Sequence, residues 1–409
     1  MHKARFGSKL SSAPLIGGQF VSEFGNSLLF VTAMWTVITV THSTLYLGLF
    51  GGIEAVAGIS GFFSGFIVDR LPPRLLLISS DLFRALICFM LSIAVSGPTH
   101  LVRNFIVAVF LLRIGSAFFG PAQARYISST FESEKLITIN GRMQSAISSG
   151  RLLGILIGGT LLQLVGFHNI IRLDGLTFLV SVLSVLILKA STASTSPRDE
   201  VKGFSSLLMD GFAHIKANQT TRLLIPLVVI TGAALTSISI LLSGWVSLVL
   251  RANAATYSLL NASILVGLTV GGMLTKFTAK LMGGRQFIVF GSVCLAGITI
   301  ILAMLGSVSI EISLGCLLLI GFISSIVDAH AGTLLQKDVD KAYIGRVFGS
   351  LSAFSALLNP LVFAGAGLFA RIYSISTVWI VAGAIMATVT FMTGRLLIGP
   401  ANSSVSLGG

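Results

Sequence analysis

The chain has 409 residues, 54% of them hydrophobic and only 10% charged, with a mean hydropathy of +0.95. A water-soluble domain carries roughly 25% charged residues to cover its surface, so this composition excludes a soluble globular protein. The formal charge of +13 would suit a nucleic-acid binder if the basic residues gathered on one patch, but they are spread along the chain between apolar runs.

The start, Met1-His2-Lys3-Ala4-Arg5, has the basic character of a signal-peptide leader. The apolar run after it is long, is interrupted by Gln19 and Glu23, and lacks a clear small-residue cleavage site, so it reads as an uncleaved first helix. Runs of about 20 apolar residues, each long enough to cross the hydrocarbon layer as a helix, then recur over almost the whole length. The expected spans are 15–40, 46–68, 75–95, 105–126, 144–165, 171–188, 223–246, 257–276, 287–305, 312–335, 347–369 and 378–397. About 20 of the 27 lysines and arginines fall in alternate connections, against roughly four in the others. By the positive-inside rule this places both termini in the cytoplasm. Membrane lipids are the solvent, no nucleic acid is expected as a partner, and a monomer is the expected state. Cys88, Cys294 and Cys316 all lie inside apolar runs without metal-ligand spacing and read as small buried hydrophobes.

The one long connection, 190–222, opens on the linker STASTSPRDE. It continues with Phe204, Leu207, Leu208, Phe212 and Ile215 at helical spacing, opposite Ser205, Asp210 and Lys216. That pattern predicts a short amphipathic helix, lying on the membrane surface or packed on protein. Ile139-Asn140-Gly141-Arg142 before the fifth span echoes Tyr343-Ile344-Gly345-Arg346 before the eleventh. Equivalent loops half a chain apart imply a duplicated architecture. The expected organisation is a six-helix bundle over 1–189, a linker over 190–222, a second bundle over 223–399 and a cytoplasmic tail over 400–409.

Charges cluster in the first hundred residues at one hinge, GFIVDRLPPR, with Gly65, Asp69, Arg70 and Arg74 at fixed spacing. A carboxylate there can pair with basic residues or cap a helix N-terminus in one conformation only, which would bias an inward/outward equilibrium. This stretch resembles the loop between helices 2 and 3 of the major facilitator superfamily. Further stretches resemble the branch of drug:proton antiporters containing macrolide-efflux and enterobactin-exporter proteins: Gly18 to Asn26, Asp81 to Ala85, Phe118 to Ala122, Asp174 to Leu179, and Leu334 to Phe348. The resemblance implies an all-α membrane protein with twelve transmembrane helices in two six-helix pseudo-repeat bundles. It also implies export coupled to protons. Two departures stand out: Ile155 replaces the proline often found in Gly150-x-x-x-Gly154-Ile155-x-x-Gly158-Gly159, and Glu54 lies within helix 2. Gly150, Gly154 and Gly158 recur every fourth residue and read as a smooth helix-packing face.

Ionisable groups in hydrocarbon are costly and face a cavity or a partner. Gln19, Ser22, Glu23 and Asn26 form a polar stripe on helix 1; Glu54 lies on helix 2, Arg113 on helix 4, and Arg151 on helix 5 with Gln144 and Ser148. Glu23, Glu54 and Asp328 are the candidate proton sites. Gln19, Asn26, Arg113, Gln144 and Arg151 are the candidate lining of a substrate cavity. Static Glu–Arg pairs holding helices together are the alternative for these residues. Asp81 and Arg84 read as a local pair, Arg172 and Asp174 as rim residues, and His330 as hydrogen-bonded or a proton relay. No phosphate-cradling loop, zinc-ligand pair or nucleophile elbow occurs, so neither an enzyme nor a cofactor is expected. The expectation is a secondary transporter of the cell inner membrane that exports a small amphipathic molecule, drug- or macrolide-like, by proton-coupled alternating access. Alternatives are a siderophore or other anionic metabolite exporter, a lysophospholipid flippase or importer, and, from another class, a membrane-embedded lipid enzyme or receptor.

Overall fold

Hydrocarbon offers no water to backbone N–H and C=O groups, so a chain of this composition must satisfy them within helices. The computed structural model describes residues 12–58, 70–94, 98–188, 219–338 and 344–398, and the regular secondary structure among them is helical throughout. The first six helices are α1 (Ala13–Thr41), α2 (Thr44–Gly58), α3 (Pro73–Ala94), α4 (Pro98–Thr130), α5 (Ser133–Val165) and α6 (Phe167–Ile187). The second six are α7 (Gln219–Gly244, continued by a π-turn over Trp245–Val249), α8 (Ala254–Leu281), α9 (Gly284–Leu305), α10 (Ile310–Asp338), α11 (Ile344–Ile372) and α12 (Ile375–Ile398). Ten of the twelve are long and apolar enough to cross a membrane, and α2 and α11 contain shorter apolar stretches over Thr44–Ile53 and Leu357–Ile372.

Local chemistry marks the helix ends. His42 closes α1 in the left-handed region, its N–H donating to the Ile38 carbonyl at 2.8 Å. Gly166, at φ 78°, ends α5 and starts α6 with no residue to spare, a conformation that a side chain would strain. Asn253 Oδ1 accepts from the Thr256 N–H at 3.0 Å at the start of α8, and Ser374 Oγ does the same for Thr377 in α12. Within the spans, hydroxyls such as Thr32, Thr36 and Thr41 donate to the carbonyl four residues back, which hides them from lipid.

The chain falls into two compact units: Met1–His42, Ile53–Glu200 and Ala252–Ser258 form the first, and Ser43–Gly52, Val201–Arg251 and Leu259–Gly409 the second. The boundary thus runs through α2 and α8. In the first unit α1 packs against α5 and α6, and α3 against α4 and α6. In the second, α7 packs against α11 and α12, and α9 against α10 and α12. Adding six to each helix number of the first set gives the second, which is the pseudo-repeat in physical form. Leu77, Ala122, Tyr126 and Val185 are fully buried in a core at one end of the first unit. In the second, the rings of the fully buried Trp245 and Trp379 meet at 4.9 Å, and Trp245 Nε1 donates to Ser313 Oγ at 3.4 Å.

The Ile139–Arg142 echo is helical, lying inside α5, and its counterpart Ile344–Arg346 opens α11, so both correct the expectation of loops. Tyr343 lies outside the described residues, as do Gly65, Asp69, the amphipathic segment of the 190–222 connection and the tail. Glu54 is part of α2, but its side chain is outside what the structure describes.

Gly150 and Gly154 sit where α5 meets the backbone of α1: a Cβ on the first would strike the Phe20 carbonyl, and on the second the Phe24 carbonyl. Gly158 meets only the Val31 and Leu28 side chains, at 3.2 Å or more. Gly154→Ala is therefore expected to destabilise the protein by about 1–3 kcal/mol through overpacking. Gly315→Ala, where a Cβ meets nothing within 4 Å, should be neutral or slightly stabilising. Thermal unfolding of the two variants in detergent checks the contrast.

Candidate functional site

Gln19 and Glu23 of the helix 1 stripe reach side chains of α4 and α5. Arg151 Nη2 donates to Glu23 Oε1 at 2.7 Å, with Glu23 16% and Arg151 51% exposed. Arg113 on α4 lies within electrostatic reach of both. Gln19 Oε1 accepts from Gln123 Nε2 of α4 at 3.2 Å. Gln144 reaches Ser148 one turn along α5, at 3.5 Å. Asn26 is half-buried one turn beyond Glu23. The structure therefore brings Glu23, Arg113 and Arg151 into one cluster, with two guanidiniums to one carboxylate. Gln123, absent from the sequence expectations, joins the helix 1 stripe through Gln19. The signal was a lone amide in the otherwise apolar run Phe118–Ala124.

A second cluster lies deeper in the same unit, between α3 and α6. Asp81, Arg84 and Cys88 fall at i, i+3 and i+7 on α3, while Asp174, Thr177 and Ser181 fall at the same spacing on α6. Each set therefore makes one stripe along one helix face. Arg84 donates to Asp81, and its guanidinium is held between the rings of Phe178 and Phe119, 4.3 and 5.1 Å from their centroids. Cys88 Sγ lies 3.5 Å from Asp174 Oδ2, and Thr177 Oγ1 lies 3.4 Å from Oδ1. Asp81 and Asp174 are 0% exposed and Arg84 3%. Asp174 is thus a core residue. The rim reading is corrected, because α6 begins at Phe167 rather than Ile171, which carries Asp174 a full turn deeper. Arg172 is exposed.

The remaining candidates stand apart from these clusters. Asp328 is exposed on α10. His330 is hydrogen-bonded to Thr278 Oγ1 through Nε2 at 3.1 Å and stacks on Phe287. Arg74 donates to the carbonyl of Leu186 at 2.7 Å, tying the hinge to the last turn of α6, where a cation suits the helix dipole. Arg70 is exposed. At the turn between α4 and α5, the Lys135 ammonium, 2.7 Å away, holds the exposed Glu132 carboxyl below the usual range.

The sequence profile of the Major Facilitator Superfamily matches residues 15–362. The chain belongs to that superfamily. Among characterised relatives, it is 20% identical to macrolide efflux protein A of Streptococcus pyogenes over 390 residues, covering 94% of this chain and 95% of that one. It is 21% identical to macrolide efflux protein A of Enterococcus faecalis over 302 residues, covering 73% and 92%. Its fold is similar to that of the nucleoside transporter NupG, with a TM-score of 0.72 at 13% identity over 96% of this chain and 100% of that one. A bacterial homologue of the lysosomal transporter Spinster gives 0.72 at 12% identity, covering 97% and 100%. These likenesses, at such identity, show the fold. The protein is a multi-pass membrane transporter with helices in two pseudo-repeats, and it is not an enzyme.

The buried pair makes a direct prediction. Arg84→Met removes the only cation bonded to Asp81 among the described residues and should destabilise the protein by about 3–5 kcal/mol. Asp81→Asn added to Arg84→Met should recover part of that loss. Denaturation midpoints in detergent measure both.

Proposed function

We propose that this transporter exports a small amphipathic compound across the bacterial inner membrane, driven by proton entry through alternating access. The observation that carries this reading is the Glu23–Arg151 ion pair at 2.7 Å on two apolar helices. A carboxylate in such a place is costly to keep charged without its partner. Protonation of Glu23 would release Arg151, and the released charge would be free to change helix packing or meet a substrate. The names of the two efflux relatives support export and a macrolide-like cargo. The bias of basic residues supports cytoplasmic termini.

In this reading Gln19, Asn26, Arg113 and Gln144 line the substrate path with the pair, and Glu54 and Asp328 are further proton sites. The hinge of Gly65, Asp69, Arg70 and Arg74 is the conformational switch, and the bond from Arg74 to Leu186 is one contact it would have to keep or break. The two bundles are taken as 1–189 and 223–399. A second reading is favoured by the charge of the cluster: two guanidiniums facing one carboxylate suit an anionic metabolite, such as a siderophore, better than a cationic drug.

Purified protein in liposomes, given a radiolabelled macrolide, tests the proposal. Accumulation should require a lumen more acidic than the outside, so that protons leave as the macrolide enters, collapse with a protonophore, and fall at least about tenfold in Glu23→Gln, the effect of about 1.4 kcal/mol or more on the coupled step. Equal flux with and without the gradient would remove proton coupling. Competition by anionic metabolites but not by macrolides would favour the second reading.

A further inference from the structure

The first unit holds its intramembrane charges in two clusters of opposite surplus. Glu23, Arg113 and Arg151 have one carboxylate for two guanidiniums. Asp81, Arg84 and Asp174 have two carboxyls for one guanidinium, in a core where none of the three is more than 3% exposed. That guanidinium is committed: it is bonded to Asp81 and caged by Phe119 and Phe178.

The groups touching the Asp174 carboxyl oxygens are neutral, a thiol and a hydroxyl, while Arg84 acts on it electrostatically without an ion pair. Thr177 Oγ1 donates to the Asp174 main-chain carbonyl at 2.7 Å and lies 3.4 Å from Oδ1, so its single hydrogen is shared and gives Oδ1 only a weak bond. Cys88 Sγ, on the other carboxyl oxygen, is a weak donor. Full burial, weak donors at both oxygens and, among the described residues, no ion pair to a cation describe a carboxylic acid rather than a carboxylate.

We propose that Asp174 is a proton-binding site, and that the Glu23–Arg113–Arg151 cluster on the far side of α1 sets whether the proton stays or leaves. Gly25 of α1 lies directly on the Asp174 carboxyl, since a Cβ there would meet Oδ1 and Thr177 Oγ1. Glu23, two residues earlier, points to the other side of the helix at about 200° of rotation. α1 lies between the two clusters, and Glu23 acts electrostatically on Asp174 across it. The charged and titratable groups facing Asp174 are Glu23 from α1 and Asp81, Arg84 and Cys88 from α3. Arg151 of α5 bears on it through Glu23. While Glu23 is ionised, the dry core keeps its proton. When Glu23 is neutralised or drawn away, the positive charge across α1 gains in effect, and loss of the Asp174 proton becomes favourable. One proton is then handed between two sites, and the unit's charge stays constant. This rests on the proton-coupled reading for its purpose, but the site itself can be tested without transport.

Protons released by purified protein in weakly buffered detergent, on a shift from about pH 5 to about pH 9, are counted with a pH-sensitive dye. Asp174→Asn should release one proton fewer than the unaltered protein, and equal counts overturn the site. Glu23→Gln should move the midpoint of the Asp174 step to lower pH, and an unmoved midpoint overturns the link between the clusters. If Asp174→Asn fails to fold, infrared difference spectra of the unaltered protein and Cys88→Ala decide the question. A protonated-carboxyl band should shift when the thiol is lost, and no such band, or one indifferent to Cys88, overturns the proposal. Should Asp174 titrate as described while macrolide flux ignores the pH gradient, the site stands and the coupling reading falls.

Discussion

Lipid does not solvate polar groups, and the whole architecture answers to that constraint. Backbone groups close on themselves in helices, and threonine hydroxyls fold back on the preceding turn. Buried charged side chains such as Asp81 and Arg84 are held in company. Because helices in hydrocarbon gain nothing from excluding water, they hold together by close contact and by polar links between them. The glycines of α5 bring it onto the backbone of α1, and the stripes of α3 and α6 meet around Arg84. The same contacts that fix the first unit therefore also place its ionisable groups.

Much of this was legible in the sequence, and the misses have a common cause. The twelve spans could be read because a run of about 20 apolar residues fits little besides a helix that crosses the bilayer. Their ends were read too short: α4 starts at Pro98 and α5 at Ser133, since helices continue into polar turns that hydropathy does not mark. That error displaced Asp174. Four residues at about 1.5 Å each is a full turn, enough to turn a core acid into an apparent rim residue. The Glu23–Arg151 pair was half visible, as two polar stripes on separate helices, but which stripes meet is decided by packing between helices far apart in sequence. The partner stripes of α3 and α6 were equally visible as i, i+3, i+7 patterns, and only their burial together gives them meaning.

The two halves share a pairing scheme but not a charge distribution. The described core of the second unit holds its polar needs with hydroxyls, a histidine bonded to threonine, and the tryptophan pair linked to Ser313. The first concentrates the buried acids and guanidiniums. The duplicated scaffold thus keeps one pairing scheme while the described cores of its two units differ in charge.

The placement of the aromatic rings gives the molecule built-in optical labels. It has three tryptophans. Trp245 and Trp379 lie together in the second unit, close enough to share excitation, while Trp35 belongs to the first and stacks on Tyr257 at 6.1 Å. Replacing Trp35 alone would leave emission that reports on the second unit, and replacing the pair would leave a single emitter in the first. Each half of the molecule can therefore be followed by intrinsic fluorescence, without attaching a dye to either.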